Sequence, residues 1–196
     1  MDSNTNVEDD SVIINNKDIV MIKTTKNTYS INYSITNNKM YLWKILDFTI
    51  VKILYDLNKD FFETVNLNII DDNNAKLFIL MKPLMADFGV PQRYCYLDLQ
   101  RERYVPDNII TIFTATPNRN IDEARSISKI PKLAEMLPIK SIKITCENLD
   151  DHNVSIEQKI CYETFFEIPK FMEKFAGTIF TKMFLRTKQF IENIGI

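Results

Sequence analysis

Three glycines (Gly89, Gly177 and Gly195) are too few and too scattered for a Gly-rich phosphate cradle or a dinucleotide fingerprint, each of which needs several close together. The single histidine, His152, falls in a polar turn-forming stretch and reads as a solvated turn residue. Its isolation argues against Ser-His-Asp or Cys-His catalysis and against a His-based metal site. Three cysteines (Cys95, Cys146 and Cys161) are odd in number and not spaced as a disulfide framework, which suggests reduced thiols in the cytoplasm. No apolar run approaches the roughly 20 residues that span a bilayer. The first seventeen residues are too polar and acidic for a secretory signal, position 2 is Asp rather than a myristoylated Gly, and the C-terminus is not a prenylation box. Carboxylates pair at Asp71-Asp72 and Asp150-Asp151, in turns where Asp serves backbone geometry. No catalytic residue, metal site or cofactor is therefore assigned.

What is present is ordinary in bulk and uneven in placement. A chain of 196 residues with 45% hydrophobic and 26% charged side chains is most simply one domain with a real core. The net charge is −2, and Phe61, Phe62 and Phe113 do not interleave with basic clusters, so no nucleic-acid partner is expected. Residues 1–17 carry Asp2, Glu8, Asp9 and Asp10 against Lys17 and read as a disordered acidic tail. Residues 169–196 carry Lys170, Lys174, Lys182, Arg186 and Lys188 against Glu173 and Glu192, which could serve transient contact with an anionic membrane surface. The richness in Asn, Ile, Lys and Asp fits an AT-rich coding sequence, such as that of a large DNA virus or a protist.

Along residues 18–196 the patterning alternates between the periods of strand and helix. Ile19 to Ile22 is a short apolar run, and Tyr29, Ile31, Tyr33 and Ile35 alternate with polar neighbours. Thr36-Asn37-Asn38 supplies N-cap chemistry before helical spacing from Met40 to Leu57, as one helix or two shorter ones. A hairpin follows: Val65, Leu67 and Ile69, the turn 71–74, then Leu77, Ile79 and Met81. Tyr94–Leu99 and Ile109–Thr116 read as further strands. The long connection 117–138 packs down through Ile127, Ile130, Leu133, Met136 and Leu137, and has room for a short helix.

The last third is the most informative. Ile142, Ile144 and Cys146 alternate with Lys143, Thr145 and Glu147. After a polar turn, Val154, Ile156, Ile160, Tyr162, Phe166 and Ile168 occupy one face of a second strand and its continuation. Pro169 then opens a helix in which Met172, Phe175, Ala176, Ile179, Phe180, Met183, Phe190, Ile191 and Ile194 share one broad face. That stripe suits a filled core and suits the wall of a cavity, since Met adapts to irregular apolar partners. Gly177 in mid-helix costs roughly 1 kcal/mol against Ala, and it fits either a close approach or an outward position.

This order of elements resembles the helix-grip fold of the START / Bet v 1-like (SRPBCC) superfamily. Val90-Pro91-Gln92-Arg93-Tyr94 is similar to the START segment in which an Arg-Asp pair opens a strand, with Tyr94 in place of the Asp. Glu123-Ala124-Arg125-Ser126 falls where START domains carry a Val-Arg-Ala-like element, and Tyr162–Pro169 resembles their last strand and helix entry, without its Gly-rich approach. The resemblance implies an α+β fold, a curved antiparallel sheet wrapped around a long C-terminal helix, with 18–196 as a single START-like domain. It implies a hydrophobic cavity under that helix for a lipid or other apolar small molecule, which the protein binds or transfers without catalysis.

On this reading Met172, Ala176, Ile179 and Met183 line one wall and Ile156, Ile160 and Tyr162 the other. Arg93 or Arg125 is the polar anchor, and the final helix with the 117–138 connection is the lid. The alternative is a structural or protein-interaction module, for instance a viral protein, with a packed core and the acidic tail as contact arm. A cyclase-type enzyme stands third.

Overall fold

The structure, a computed structural model, describes residues 11–105, 109–166 and 168–195. In chain order the elements are β1 (Ser11–Asn15), β2 (Ile19–Thr25), β3 (Thr28–Thr36), α1 (Phe48–Asp56), β4 (Phe62–Ile69), β5 (Asn74–Met81) and β6 (Arg93–Tyr104). They continue as β7 (Ile110–Pro117), α2 (Ile121–Ile127), β8 (Glu135–Met136), β9 (Ile139–Asp150), β10 (Asn153–Tyr162) and α3 (Lys170–Asn193). Among the described residues nine strands form one antiparallel sheet in the order β1-β2-β3-β10-β9-β7-β6-β5-β4, and β8 runs parallel beside the start of β6. The fold is α+β, with α3 laid on one face of the curved sheet.

Period-2 alternation decides which residues meet α3. Tyr29, Ile31 and Ile35 of β3, Ile156 and Ile160 of β10, and Leu77 and Ile79 of β5 are buried in the main core on that side. The run Leu77–Met81 is apolar at every position because both faces of the sheet are covered there. Phe78 and Leu80 point the other way, into a second cluster with Tyr94, Tyr96 and Ala124 beneath α2. Ile127, Ile130 and Met136 join that cluster and Leu137 joins the main one, whereas Leu133 is left in solvent.

The helical stretch after β3 is two pieces, a 3-10 turn at Leu42–Ile45 and then α1. Asp47 breaks it by capping α1, its side chain accepting from the Thr49 N–H at 2.6 Å. Asn37 does not cap this segment. It is 2% exposed, and its Nδ2 donates to the carbonyls of Ile191 (2.6 Å) and Ile194 (3.0 Å), which α3 leaves unpaired at its end. His152 is not a solvated turn residue either. It stacks on Tyr41, and Nδ1 lies 3.0 Å from the carbonyl oxygens of both Asn37 and Met40. Two acceptors at one nitrogen mean that Nδ1 carries the proton, so His152 ties the β9–β10 turn to the chain after β3.

The acidic-tail expectation over 1–17 needs correction at its C-terminal part. Residues 1–10 lie outside the described residues, but Ser11–Asn15 pair antiparallel with β2 as an edge strand. The reason is Gly177. A bulge between Val12 and Ile14 accompanies the packing of both Ile13 and Ile14 on α3. A Cβ at position 177 would stand 3.2 Å from Ile13 Cγ2 and 3.1 Å from Ile14 Cγ1. Gly177 therefore serves close approach. Gly177→Leu is expected to lower stability by about 1–3 kcal/mol through overpacking, read as a lower urea midpoint. An unchanged midpoint would mean that β1 is not seated on α3 in solution.

Candidate functional site

Between α3 and the sheet lies a cavity of about 510 Å³, well within the range of small-molecule sites. Its sheet wall is the inward stripe of four strands: Ile79 and Met81 of β5, Cys95 and Leu97 of β6, Ile139 and Ile142 of β9, and Gln158, Ile160 and Tyr162 of β10. Its opposite wall is α3, through Met172, Phe175, Ala176, Ile179, Phe180, Met183 and Phe184. Leu54 and Tyr55 of α1 also line it, with Phe61 and Phe62 after that helix, where the Phe61 carbonyl accepts from the Lys82 N–H at 3.0 Å. The segments 82–85 and 89–91, between β5 and β6, border the cavity as well, along with Phe166, Ile168 and Pro169.

α3 is held over this space at discrete points along its length. Near its start Glu173, 8% exposed, accepts at Oε1 from Lys23 Nζ (2.6 Å) and Tyr29 Oη (2.7 Å). Burial would raise the Glu173 pKa, but the two hydrogen bonds and the Lys23 charge outweigh that and hold it below the usual carboxylate range. Further along, the fully buried Asn58 donates to the Met183 carbonyl at 3.3 Å, and Arg186 pairs with Asp60 at 2.5 Å. Asn37 completes the set at the end. These ties, together with the packing of β1 on Gly177, set the standoff between helix and sheet.

The interior is apolar and uncharged. Burial pushes the Cys95 thiol up to about 12 and raises the Tyr55 and Tyr162 hydroxyls well above their ordinary value, so all three stay neutral near pH 7. Among the described residues, no group of His, Cys, Asp and Glu is placed to hold a metal ion. The basic lining residues are at the border: Lys82 is exposed, and the Arg93 guanidinium pairs with Glu135 at 2.5 Å.

The residues expected to line the cavity divide as follows. Ile160, Tyr162, Met172, Ala176, Ile179 and Met183 all border it. Ile156, 1% exposed, does not; it lies in the packed core two positions further along the same stripe. Arg93 borders the cavity, while Arg125 is exposed on α2, which covers the other face of the sheet, so Arg125 is not placed to anchor a ligand in the cavity. For the same reason most of the 117–138 connection cannot serve as lid: α2 occupies it, and only Leu137 reaches the cavity.

Several lining residues were not anticipated. The bordering loop 82–92 lies between two strands and shows no periodicity of its own. Gly89 there has φ +70°, a left-handed turn that favours glycine. Gln158 did have a signal: it occupies the alternating position between Ile156 and Ile160 and interrupts an otherwise apolar stripe.

No family model and no curated protein matches the chain in sequence. Solved structures do match in shape. The lipid transfer and protein localization domain of human StarD13 superposes with a TM-score of 0.63 at 6% identity, over 94% of this chain and 90% of that one. Human StAR-related lipid transfer protein 5 gives 0.61 at 9% identity, over 94% and 87%. A STAR-related lipid transfer protein from Xanthomonas axonopodis gives 0.54 at 13% identity, over 93% and 96%. The chain therefore has the helix-grip fold of START domains.

Proposed function

We propose that this protein is a carrier that binds a lipid or other apolar small molecule between α3 and the sheet and releases it without bond chemistry. The observation that carries this reading is the apolar cavity of about 510 Å³ where a packed scaffold would have side chains. The same observation weighs against the alternative of a solid interaction module. The StarD13 domain and the human and bacterial STAR-related proteins are lipid transfer proteins by name, which agrees with the carrier reading. Against a cyclase-type reaction stand the buried Cys95, Tyr55 and Tyr162 of the wall, which burial keeps neutral, and the engagement of the Glu173 carboxylate by Lys23 and Tyr29. Release needs only a gate and a difference in affinity between open and closed states. The 82–92 loop and the first turns of α3 are the gate on this reading.

Membrane contact belongs at the same end. Phe88, Phe165 and Phe171 are 74%, 80% and 58% exposed, and each adjoins in sequence a residue that borders the cavity. Lys170 and Lys174 are exposed beside them in sequence. Lys182, Arg186 and Lys188 are instead paired with Asp60 or Glu192, which narrows the basic contact from the whole helix to its first turns. The three unpaired cysteines support a cytoplasmic setting, and no helix among the described residues is long and apolar enough to cross a membrane.

The test is native mass spectrometry of the purified protein with organic extraction, followed by transfer of the extracted molecule between donor and acceptor vesicles containing anionic lipid. Stoichiometric apolar ligand and protein-dependent transfer are expected. The double variant Phe88→Ser, Phe165→Ser should retain ligand and transfer at about a tenth of the rate, given the apolar area it withdraws from the bilayer. A clean apo mass with no transfer would reject the carrier reading in favour of the interaction module.

A further inference from the structure

The side chain of Gln158 is an oddity in the cavity wall. It lies at the middle of the inward stripe of β10, between Ile156 and Ile160, beside Ile31 of β3 and Ile144 of β9 in the strand register. It is 9% exposed and borders the cavity. Among the described residues its amide has no hydrogen-bond partner. Its polar atoms are not sealed within the wall and so face the cavity, where a primary amide without a protein partner carries a cost that core packing does not explain. Leu or Met at this position would complete the apolar stripe. Two more polar groups in the same wall, the hydroxyls of Tyr55 and Tyr162, are likewise without hydrogen-bond partners among the described residues.

We infer that Gln158 is the recognition group for one uncharged hydrogen-bonding function, a hydroxyl or a carbonyl, at the buried end of an otherwise apolar ligand. The inference rests on the carrier reading and narrows the ligand class within it. An amide both donates and accepts, so it pairs with either function. A carboxylate or phosphate at Gln158 would have to lose its water without a cation beside it, since the lining cations are Lys82, beyond β5, and Arg93, three strands away on β6 and paired with Glu135.

Size points the same way. A cavity of about 150 Å³ accepts benzene, so a space of about 510 Å³ takes roughly three to four times as many atoms, near twenty. That suits a single-chain or fused-ring neutral lipid entering with its polar end first. It is too small to enclose a two-chain phospholipid.

The experiment uses the full chain, stripped of co-purified material by organic extraction and refolded to its original melting temperature. A fluorescent apolar probe is displaced by tetradecan-1-ol, tetradecane or tetradecanoic acid, each delivered from cyclodextrin. The alcohol should bind about tenfold more tightly than the hydrocarbon, the size of one net buried hydrogen bond, and more tightly than the acid at pH 7. Gln158→Leu, close in volume, should keep the melting temperature and bring alcohol and hydrocarbon to the same affinity. Equal affinity of the two in the wild type, or an alcohol preference that survives Gln158→Leu, would overturn the assignment while leaving the carrier reading in place. Failure of all three to displace the probe would instead overturn the carrier reading, and this inference with it.

Discussion

Ala176→Trp is expected to reduce ligand occupancy more than tenfold while leaving the protein at least as stable as the wild type. Ala176 borders the cavity at the middle of the α3 wall, one position before the closely packed Gly177. The helix cannot withdraw to make room, because it is tied at Glu173, at the Met183 carbonyl and at the Ile191 carbonyl. An indole introduced here has one direction to go, into the empty volume. There it gains dispersion contacts with side chains that now face a void. Filling a cavity in this way stabilises, whereas the same substitution in a filled core would cost about 1–3 kcal/mol by overpacking. Occupancy would be read by native mass spectrometry and stability by thermal melting. Unchanged occupancy would mean that the ligand lies elsewhere. A markedly lower melting temperature would mean that the cavity closes in solution.

Glu173→Ala is expected to destabilise the protein by about 2–3 kcal/mol, below the roughly 3–5 kcal/mol for breaking a fully buried pair, because Lys23 retains 25% side-chain exposure. In a chain of this length the loss is a fall in melting temperature of about 5–10 °C. The substitution leaves Lys23 without its counter-charge and the 3% exposed Tyr29 without its acceptor. Glu173→Gln should cost less, since Gln still accepts from Tyr29. The pH dependence identifies the mechanism. The folded pKa of Glu173 is lowered, so its stabilisation is fully present above the unfolded carboxylate value, near 4.3. It is lost as pH falls through the folded value. The stability gap between wild type and Glu173→Ala should therefore be constant from about pH 6 to 8 and narrow below about pH 4. A gap that persisted undiminished into acid would show that packing, not the charged hydrogen bonds, holds this end of α3.

Legibility in the sequence followed the range of each signal. The β9–β10 hairpin, the β4–β5 hairpin and the span of α3 were readable because alternation and helical spacing are local, with burial on one face enforcing them. The alternation of Leu77, Ile79 and Met81 marks one buried face of that strand and gives no sign of the second, because the cover on its far side, α2, comes some forty residues later. β1 is not legible in the sequence because Val12-Ile13-Ile14 has no alternation; its partner surface is at Gly177. Asn37 looked like a cap for the helix that follows it and caps the end of α3 instead, since cap chemistry does not specify which helix end it will meet.

The cavity wall was divided by the same rule. Six of the seven residues expected to line it do so, because membership of an inward face follows from periodicity. Ile156 shares that face and lies in packed core, since periodicity gives direction and not the distance to what stands opposite. Arg125 was assigned through a resemblance of segments, and the topology carried α2 to the other side of the sheet. By itself the chain determined its strands, its long helix and which side chains share a face. These depend on steric preference and burial over a few residues. The tertiary structure alone decided that α3 stands off the sheet and that the 82–92 loop borders the space beneath. That spacing is set by Lys23, Asn37, Asn58 and Asp60, polar partners far from α3 in sequence, and no local pattern encodes a distance between elements that meet only in the fold.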